Sequence, residues 1–265
     1  MPIRLAIAGA AGRMGRRIVA LAHADARFAI AAALEQAASP DAERDAGVLA
    51  GIGEIGLPVG DAAPGDFDVL LDFSSPAGTR QWLGHCVERR RAMLIGTTGL
   101  DAALHGAIAQ ASKSIAVLPS VNTSVGVNVV LAAVERLARE LGSDFDVEIV
   151  EAHHRFKVDA PGGTALALKD AVVRGRAGEP PAVVHGRSGS HVPRTAGEIG
   201  MHSIRGGDVI GEHEVRFISQ GETVAVRHAA HSRDTFARGA LRAAAWLAGR
   251  PAGLYGIADV VRGEA

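Results

Sequence analysis

A single cysteine, Cys86, is all the thiol this 265-residue chain contains. An internal disulfide framework is therefore excluded, and a reducing compartment is expected. Cys86 falls within an apolar helical pattern, which suits a buried structural thiol better than a nucleophile. An excess of either charge is lacking too. The formal net charge is −1, so there is no electrostatic case for nucleic acid or an anionic membrane as partner. The longest basic run, Arg89-Arg90-Arg91, reads as a solvated helix end. No apolar stretch reaches membrane-spanning length. The first one, residues 3–8, leads straight into glycines rather than a cleavage site. A cytoplasmic protein with no membrane or nucleic-acid partner is expected. Lysine is also scarce: Lys113, Lys157 and Lys169 stand among 28 Lys and Arg. Where arginine is so strongly favoured, a lysine inside a polar cluster suggests that a compact ammonium is wanted rather than a guanidinium fork.

What is present is apolar material, 48% of residues. That is enough for one large core or two modest ones. The first part alternates short apolar runs with helical patterns, the signature of βαβ units and a parallel sheet. Strands are expected at 3–8, 28–34, 69–73, 93–95 and 115–118, and helices at 14–24, 76–89 and 101–112. Residues 36–67, rich in Ala, Gly, Asp and Pro, read as loop. Ser124 is a candidate cap for a helix running to about Leu141, residues 147–151 a strand, and Thr164 the cap of a helix to about Arg174. From Ala182 onward the texture is β-like. Strands are expected at 198–205, 208–214, 215–219 and 223–228, with turns at Gly206-Gly207 and Gln220-Gly221. Residues 233–248 are helical again. The expected fold is α/β: a Rossmann-like doubly wound domain (1–122 and 233–265) with an α+β substrate domain carrying a mixed sheet (123–232).

Gly9-Ala10-Ala11-Gly12-Arg13-Met14-Gly15 follows the first strand and opens the first helix. Glycines there permit a tight turn and close approach of backbone N–H groups to a pyrophosphate, with the helix N-terminus adding its dipole. The spacing G-x-x-G-x-x-G departs from the commoner G-x-G-x-x-G, and a tight turn without ligand would use the same glycines. Glu35 stands where a carboxylate meets the adenosine ribose hydroxyls. It is followed by Gln36, and the next cation along the chain is Arg44, so charge favours NADH at least as much as NADPH; Arg13 and Arg16 are the cations that could alter this. Gly96-Thr97-Thr98-Gly99 follows another expected parallel strand, where ligands of doubly wound sheets bind.

The densest chemistry lies in Glu151-Ala152-His153-His154-Arg155-Phe156-Lys157-Val158-Asp159-Ala160-Pro161-Gly162-Gly163-Thr164. Adjacent histidines on extended backbone point to opposite sides, so they are not expected to share a role or a metal. Histidine suits proton transfer near neutral pH. Lys157 supplies a cation for a carboxylate, or a proton. The Pro-Gly-Gly-Thr turn offers amides, a hydroxyl and a helix N-terminus to an anion.

On these segments, together with Asn122-Thr123-Ser124-Val125-Gly126-Val127-Asn128, Gly206 to His213 and Ser232 to Ala237, the chain resembles the 4-hydroxy-tetrahydrodipicolinate (dihydrodipicolinate) reductase family over nearly its whole length. The resemblance implies reduction of 4-hydroxy-tetrahydrodipicolinate by hydride transfer from NAD(P)H, in diaminopimelate and lysine biosynthesis. It implies a homotetramer joined through the substrate-domain sheets and a small dicarboxylate substrate. By matching position His153 is the catalytic acid and Lys157 a second proton donor. His154, Gly163, Thr164 and Thr98 match substrate contacts. Gly9, Gly12, Arg13, Met14, Gly15, Glu35, Gly96, Thr97, Thr98, Asn122, Arg233 and Phe236 match cofactor contacts, the last two near the hinge as well. Three departures stand out. Gly162 replaces a serine common in relatives. Gln36 and Ser75 occupy positions where many have arginine, which again favours NADH. Thr123 replaces an aromatic. Three rivals remain at this point: a nicotinamide dehydrogenase of an amino acid, a non-catalytic dinucleotide-binding regulator, and a zinc hydrolase using the histidines.

Overall fold

The computed structural model describes residues 1–63, 66–177 and 181–263. The chain divides into two units, Met1–Val125 with Arg233–Ala265, and Gly126–Ser232. The first break falls at Val125 rather than at 122.

The first unit contains β1 (Ile3–Ala8), α1 (Arg13–His23), β2 (Phe28–Leu34), α2 (Ala46–Ala50), β3 (Val59–Gly60) and β4 (Val69–Asp72). It continues with α3 (Pro76–Arg89), β5 (Ala92–Ile95), α4 (Ala102–Ala111) and β6 (Ala116–Pro119). The seven-stranded sheet runs β12-β6-β5-β4-β1-β2-β3, where β12 is Gly253–Leu254, and all its pairings are parallel. The chain reverses strand order beside β1, which puts a topological switch point at the C-terminal ends of β1 and β4. Both faces are covered, so the strands are near-continuous apolar runs. Leu5, Ile7, Leu71 and Leu94 point to one face and Ala6, Leu70, Met93 and Ile95 to the other. The first set packs on α1, on α7 (Asp234–Leu247) and on α8 (Ile257–Arg262); the second packs on α3 and α4. Arg17 of α1 holds Asp234 of α7 through two bonds of 2.7 and 2.8 Å, tying the returning helix to the first.

Cys86 is fully buried in the second face, and burial, with the nearby Asp72 charge, pushes its thiol up to about 12. It is a packing residue, as its helical setting implied.

The second unit contains α5 (Val125–Leu141), a short 3₁₀ turn, β7 (Asp146–His153), α6 (Gly163–Arg176), β8 (Val183–His185), β9 (Ile199–Arg205), β10 (Gly211–Ser219) and β11 (Glu222–Ala230). Its sheet order is β11-β10-β7-β9-β8. β10 runs antiparallel to both neighbours, whereas β7, β9 and β8 run parallel, so the sheet is mixed. Val147, Ile149, Ile199, Met201, Val215 and Phe217 pack against α5 and α6.

Three local expectations are corrected. Residues 208–214 and 215–219 are not two strands: the inward alternation His213, Val215, Phe217 passes through Glu214 without a turn, and β10 is one strand. Thr164 does not cap α6; Gly162 is the extended N-cap and Thr164 the second helical residue. Residues 36–67 contain α2 and β3, although 64 and 65 lie outside the described residues. Asp45 builds that region by accepting from the amides of Gly47, Val48, Ile55 and Leu57. Burial works against its charge, but those amides outweigh it and hold the carboxyl below its usual range. The dispersed polar composition hid a one-residue organiser. The tail, for which the sequence pattern suggests no element, forms β12 and α8, both too short for periodicity to reveal.

Candidate functional site

In the first unit the glycine turn joins β1 to α1. Gly9 sits at φ +77°, and a Cβ there would strike the backbone of Phe73 and Ser74. A Cβ at Gly15 would lie 2.6 Å from Ala10 Cα. These two glycines are thus required by the turn and by helix–strand packing, whatever binds. The features that point to a ligand are different ones. No side chain caps α1, and its first turn, opened by Arg13 and Met14, contains no acid. It therefore presents amide donors and a positive helix end. Glu35 follows β2, and its Oε1 accepts from the Ala11 amide at 3.1 Å, which leaves carboxylate lone pairs for a diol. A cavity of about 280 Å³ is lined by Gly9, Gly12, Glu35, Gln36, Phe73 and Ser74 among others. A pyrophosphate with its adenosine ribose fits this set of donors and acceptors.

The remaining residues expected around the cofactor divide. Gly96 follows β5, where a Cβ would press 2.5 Å from Phe73 Cζ. Thr97 and Thr98 both carry hydroxyls and backbone amides that could meet a ligand, but the Thr97 hydroxyl faces inward. Thr97 is buried, donates to Asp72 Oδ2 at 3.0 Å and accepts from the Ser74 amide at 3.0 Å. Only its backbone remains for a ligand. Burial raises the Asp72 carboxyl, opposed by hydroxyls of Ser74, Thr79 and Thr97. Thr98 is exposed beside it. Asn122 accepts from the Ser124 amide at 2.9 Å. Arg233 is the N-cap of α7 and Phe236 lies in its first turn. Two departures from relatives acquire local reasons. Thr123 is buried and donates to the Phe236 carbonyl at 2.7 Å. Ser75 caps α3 by accepting from the Gly78 amide at 3.1 Å.

In the second unit, alternation along β7 puts Glu151 and His153 on the helix-covered face beyond Ile149. The neighbouring strands add Arg205 of β9, beside His153 in register, and His213 of β10, beside Glu151. Glu151 is almost fully buried. It accepts from or pairs with His153 Nδ1 at 2.6 Å, Arg205 at 2.6 and 2.8 Å, and the Gly162 amide at 3.2 Å. Burial drives its carboxyl up, yet Arg205, His153, Ser203 and that amide together bring it down to about 2. Burial holds His153 below its ordinary value, with Glu151 opposing and the positive charges of Lys157 and Arg205 adding to the fall. The His213 ring meets that of His153 edge-on at 5.2 Å. Burial takes His213 down to about 4.

Lys157 Nζ lies 2.7 and 2.8 Å from the Asp159 carboxylate, an internal partner that the sequence pattern did not disclose. It also converges on the start of α6. A Cβ at Gly162 would stand 2.9 Å from Lys157 Cε, 3.5 Å from its Nζ and 3.4 Å from His153 Cε1. Imidazole, amine and helix N-terminus therefore share one small volume, and glycine at 162 gives Lys157 its room. Gly163 and Thr164 form the first turn of α6, which has no acidic residue and no side-chain cap. His154 points elsewhere: its ring lies 6.4 Å from that of Phe156, and its Nδ1 is buried without a partner among the described residues.

The family model for the dihydrodipicolinate reductase N-terminus matches residues 3–123, and that for its C-terminus matches residues 126–261. The chain belongs to the dihydrodipicolinate reductase family. Among solved structures it is similar to a dipicolinate-bound dihydrodipicolinate reductase from Paenisporosarcina sp. TG-14. That likeness has a TM-score of 0.72 and 21% identity, over 97% of this chain and 98% of the other. A myo-inositol dehydrogenase from Corynebacterium glutamicum ATCC 13032 is similar at TM-score 0.57 and 13% identity, over 99% and 93% of the two chains. An amine dehydrogenase from Mycobacterium smegmatis is similar at 0.54 and 12%, over 97% and 96%. At these identities the structural likenesses speak for fold alone. The family assignment makes the chain an oxidoreductase of diaminopimelate and lysine biosynthesis, with an N-terminal dinucleotide-binding domain. It displaces all three rivals, the amino-acid dehydrogenase, the non-catalytic regulator and the zinc hydrolase. No helix among the described residues is long and apolar enough to cross a membrane.

Proposed function

We propose that the chain reduces 4-hydroxy-tetrahydrodipicolinate to tetrahydrodipicolinate, with His153 as the acid and Lys157 as the carboxylate-holding cation. The observation that carries this reading is the convergence of His153, Lys157 and the uncapped start of α6 around Gly162. An anionic ring substrate there meets a cation, amide donors and a proton donor at once. When bound, a nicotinamide dinucleotide supplies the hydride. Gly12, the first turn of α1 and Glu35 are the residues that would hold its pyrophosphate and ribose. Thr164 and Gly163 contribute the helix end that receives a carboxylate. His153, linked to Glu151 through Nδ1, has Nε2 left for proton delivery.

NADH is used at least as well as NADPH. Glu35 repels a 2′-phosphate, and two of the three candidate cations are already paired: Asp41 holds Arg44 and, at 3.3 Å, Arg16, while Arg13 is exposed at the start of α1. The test follows the absorbance of each reduced nicotinamide with the freshly formed product of an aldol condensation of aspartate semialdehyde and pyruvate. Oxidation of both, with kcat/KM for NADH equal to or above that for NADPH, is expected. Oxidation of neither overturns the reading.

Assembly as a homotetramer through the second-unit sheet is the associated proposal. Its support is the sheet face turned away from α5 and α6, where Ile204 is 55% exposed beside half-buried Ala152. Isolated apolar side chains are ordinary on surfaces, but a sheet face that its own helices leave uncovered can be buried against a second copy. Sedimentation equilibrium should return four chain masses, and Ile204→Glu should lower that number.

A further inference from the structure

The Glu151–Arg205 pair has no direct place in the chemistry so far described, yet it is the most completely built polar feature of the second unit. Glu151 is 1% exposed, and its four partners come from three places: His153 on the same strand, Arg205 and Ser203 on β9, and the amide of Gly162 at the head of α6. Replacing such an ion pair with apolar groups is often neutral or favourable for stability. A buried carboxylate with this many donors is therefore weakly explained as a stabilising device.

We infer that Glu151 is a positioning residue for the reduction: it fixes the His153 imidazole as the Nδ1–H tautomer, with Nε2 directed to the substrate, while Arg205 limits how strongly that carboxylate holds the proton. The inference rests on the assignment of His153 as the acid. Its geometry is explicit. The 2.6 Å contact uses Nδ1, so one ring nitrogen is committed and the other is not. Nε2 lies 3.2 Å from where a Cβ at Gly211 would stand, which means the opposite side of the ring is kept open by a glycine of β10. His213 meets the ring edge-on and restrains its rotation. The same Glu151 carboxylate also holds the Gly162 amide, so the proton donor and the anion-binding helix start are set by one group.

The charges facing the imidazole are Glu151 from β7, Arg205 from β9, His213 from β10, and Lys157 with Asp159 from the following loop. Glu151 favours the imidazolium; Arg205 and Lys157 disfavour it. Loss of Glu151 and loss of Arg205 should therefore move His153 in opposite directions. A purely structural pair would give losses of the same kind from either side.

The test uses the full chain in three forms: wild type, Glu151→Gln and Arg205→Met. His153 is followed by imidazole ¹⁵N and ¹³C shifts against pH, and kcat and KM are measured across the same range. The glutamine carbonyl still accepts from Nδ1–H but lacks the charge. Glu151→Gln should lower the His153 titration midpoint and reduce kcat at neutral pH about 10- to 100-fold, with KM nearly unchanged. Arg205→Met should raise the midpoint. If Glu151→Gln fails to fold, the upward movement in Arg205→Met and the Nδ1–H signature of the wild-type ring still decide. Midpoints that stay fixed, or an Nε2–H tautomer in the wild type, overturn the inference. His153→Gln separates this from the larger assignment. If His153→Gln is inactive while Glu151→Gln leaves the titration unmoved, the acid stands and its positioning by Glu151 falls. If His153→Gln turns over normally, both fall.

Discussion

His153→Gln is expected to cut kcat by about 10²- to 10⁴-fold, the usual contribution of a positioned proton donor, while leaving nicotinamide dinucleotide affinity within about twofold of wild type. Glutamine keeps a polar group of similar reach and removes the transferable proton. The dinucleotide features lie on β1, α1 and β2 of the other unit, so fluorescence titration with reduced nicotinamide should not register the change. The pH profile supplies a second, signed outcome. An acid acts in its protonated form, so activity falls as pH rises through its pKa. Burial and the charges of Lys157 and Arg205 hold His153 below the ordinary histidine value in the free protein. The descending limb of kcat/KM, which reports the free enzyme, should therefore lie on the acid side of that value. A bound dicarboxylate adds negative charge beside Lys157 and weakens its opposition, so the limb of kcat should lie at higher pH than that of kcat/KM. Coincident limbs, or turnover of His153→Gln near wild type, would refute the assignment.

The sequence and the structure agree most closely where periodicity is strong. The β1–α1 turn, the parallel strands and the long α5 were legible because buried strands and amphipathic helices leave an unbroken pattern. The mixed sheet is legible in outline, but the continuity of β10 through Glu214 and Val215 is not, and its start lies at Gly211 rather than Asp208. At the site, the residue pattern singles out the histidine pair, Lys157 and the glycine turn, and the resemblance chooses His153 from the pair. Neither identifies what holds them. Arg205 lies fifty-odd residues from Glu151 along the chain and reaches it only through the parallel pairing of β7 with β9. His213 depends on the register of β10. One part of the missed network was within reach: Glu151 and His153 are two apart on a strand, and strand geometry puts such residues on one face. Asp159 was likewise in view, two residues after Lys157, but nothing in linear spacing said that the loop would fold the two charges together. The commitment of the Thr97 hydroxyl to Asp72 was invisible for the same reason, since it joins the ends of two neighbouring strands.

Lys157→Met is expected to raise KM for the dicarboxylate about 10- to 100-fold, the equivalent of one charge-assisted hydrogen bond of roughly 1.5–3 kcal/mol, with a smaller loss in kcat. Methionine preserves much of the stem, so packing against the start of α6 is retained and the missing element is the ammonium. Asp159 bears on the size of the effect. It holds Nζ at 2.7 and 2.8 Å, and an incoming carboxylate must share or replace that contact. Asp159 is 56% exposed on its side chain, so its pair with Lys157 is screened and readily surrendered. Asp159→Asn should accordingly leave KM unchanged or lower it, the opposite of the effect at Lys157. Arginine should not rescue position 157. Its planar fork needs more room than an ammonium, and the Lys157 Cε already lies 2.9 Å from where a Cβ at Gly162 would stand. The measurement is a set of saturation curves for the three variants at fixed reduced nicotinamide, repeated at low and high ionic strength. A KM for Lys157→Met within twofold of wild type at both ionic strengths would show that the substrate's carboxylate is held by other groups, and the proposed roles of Lys157 and the α6 start would fall together.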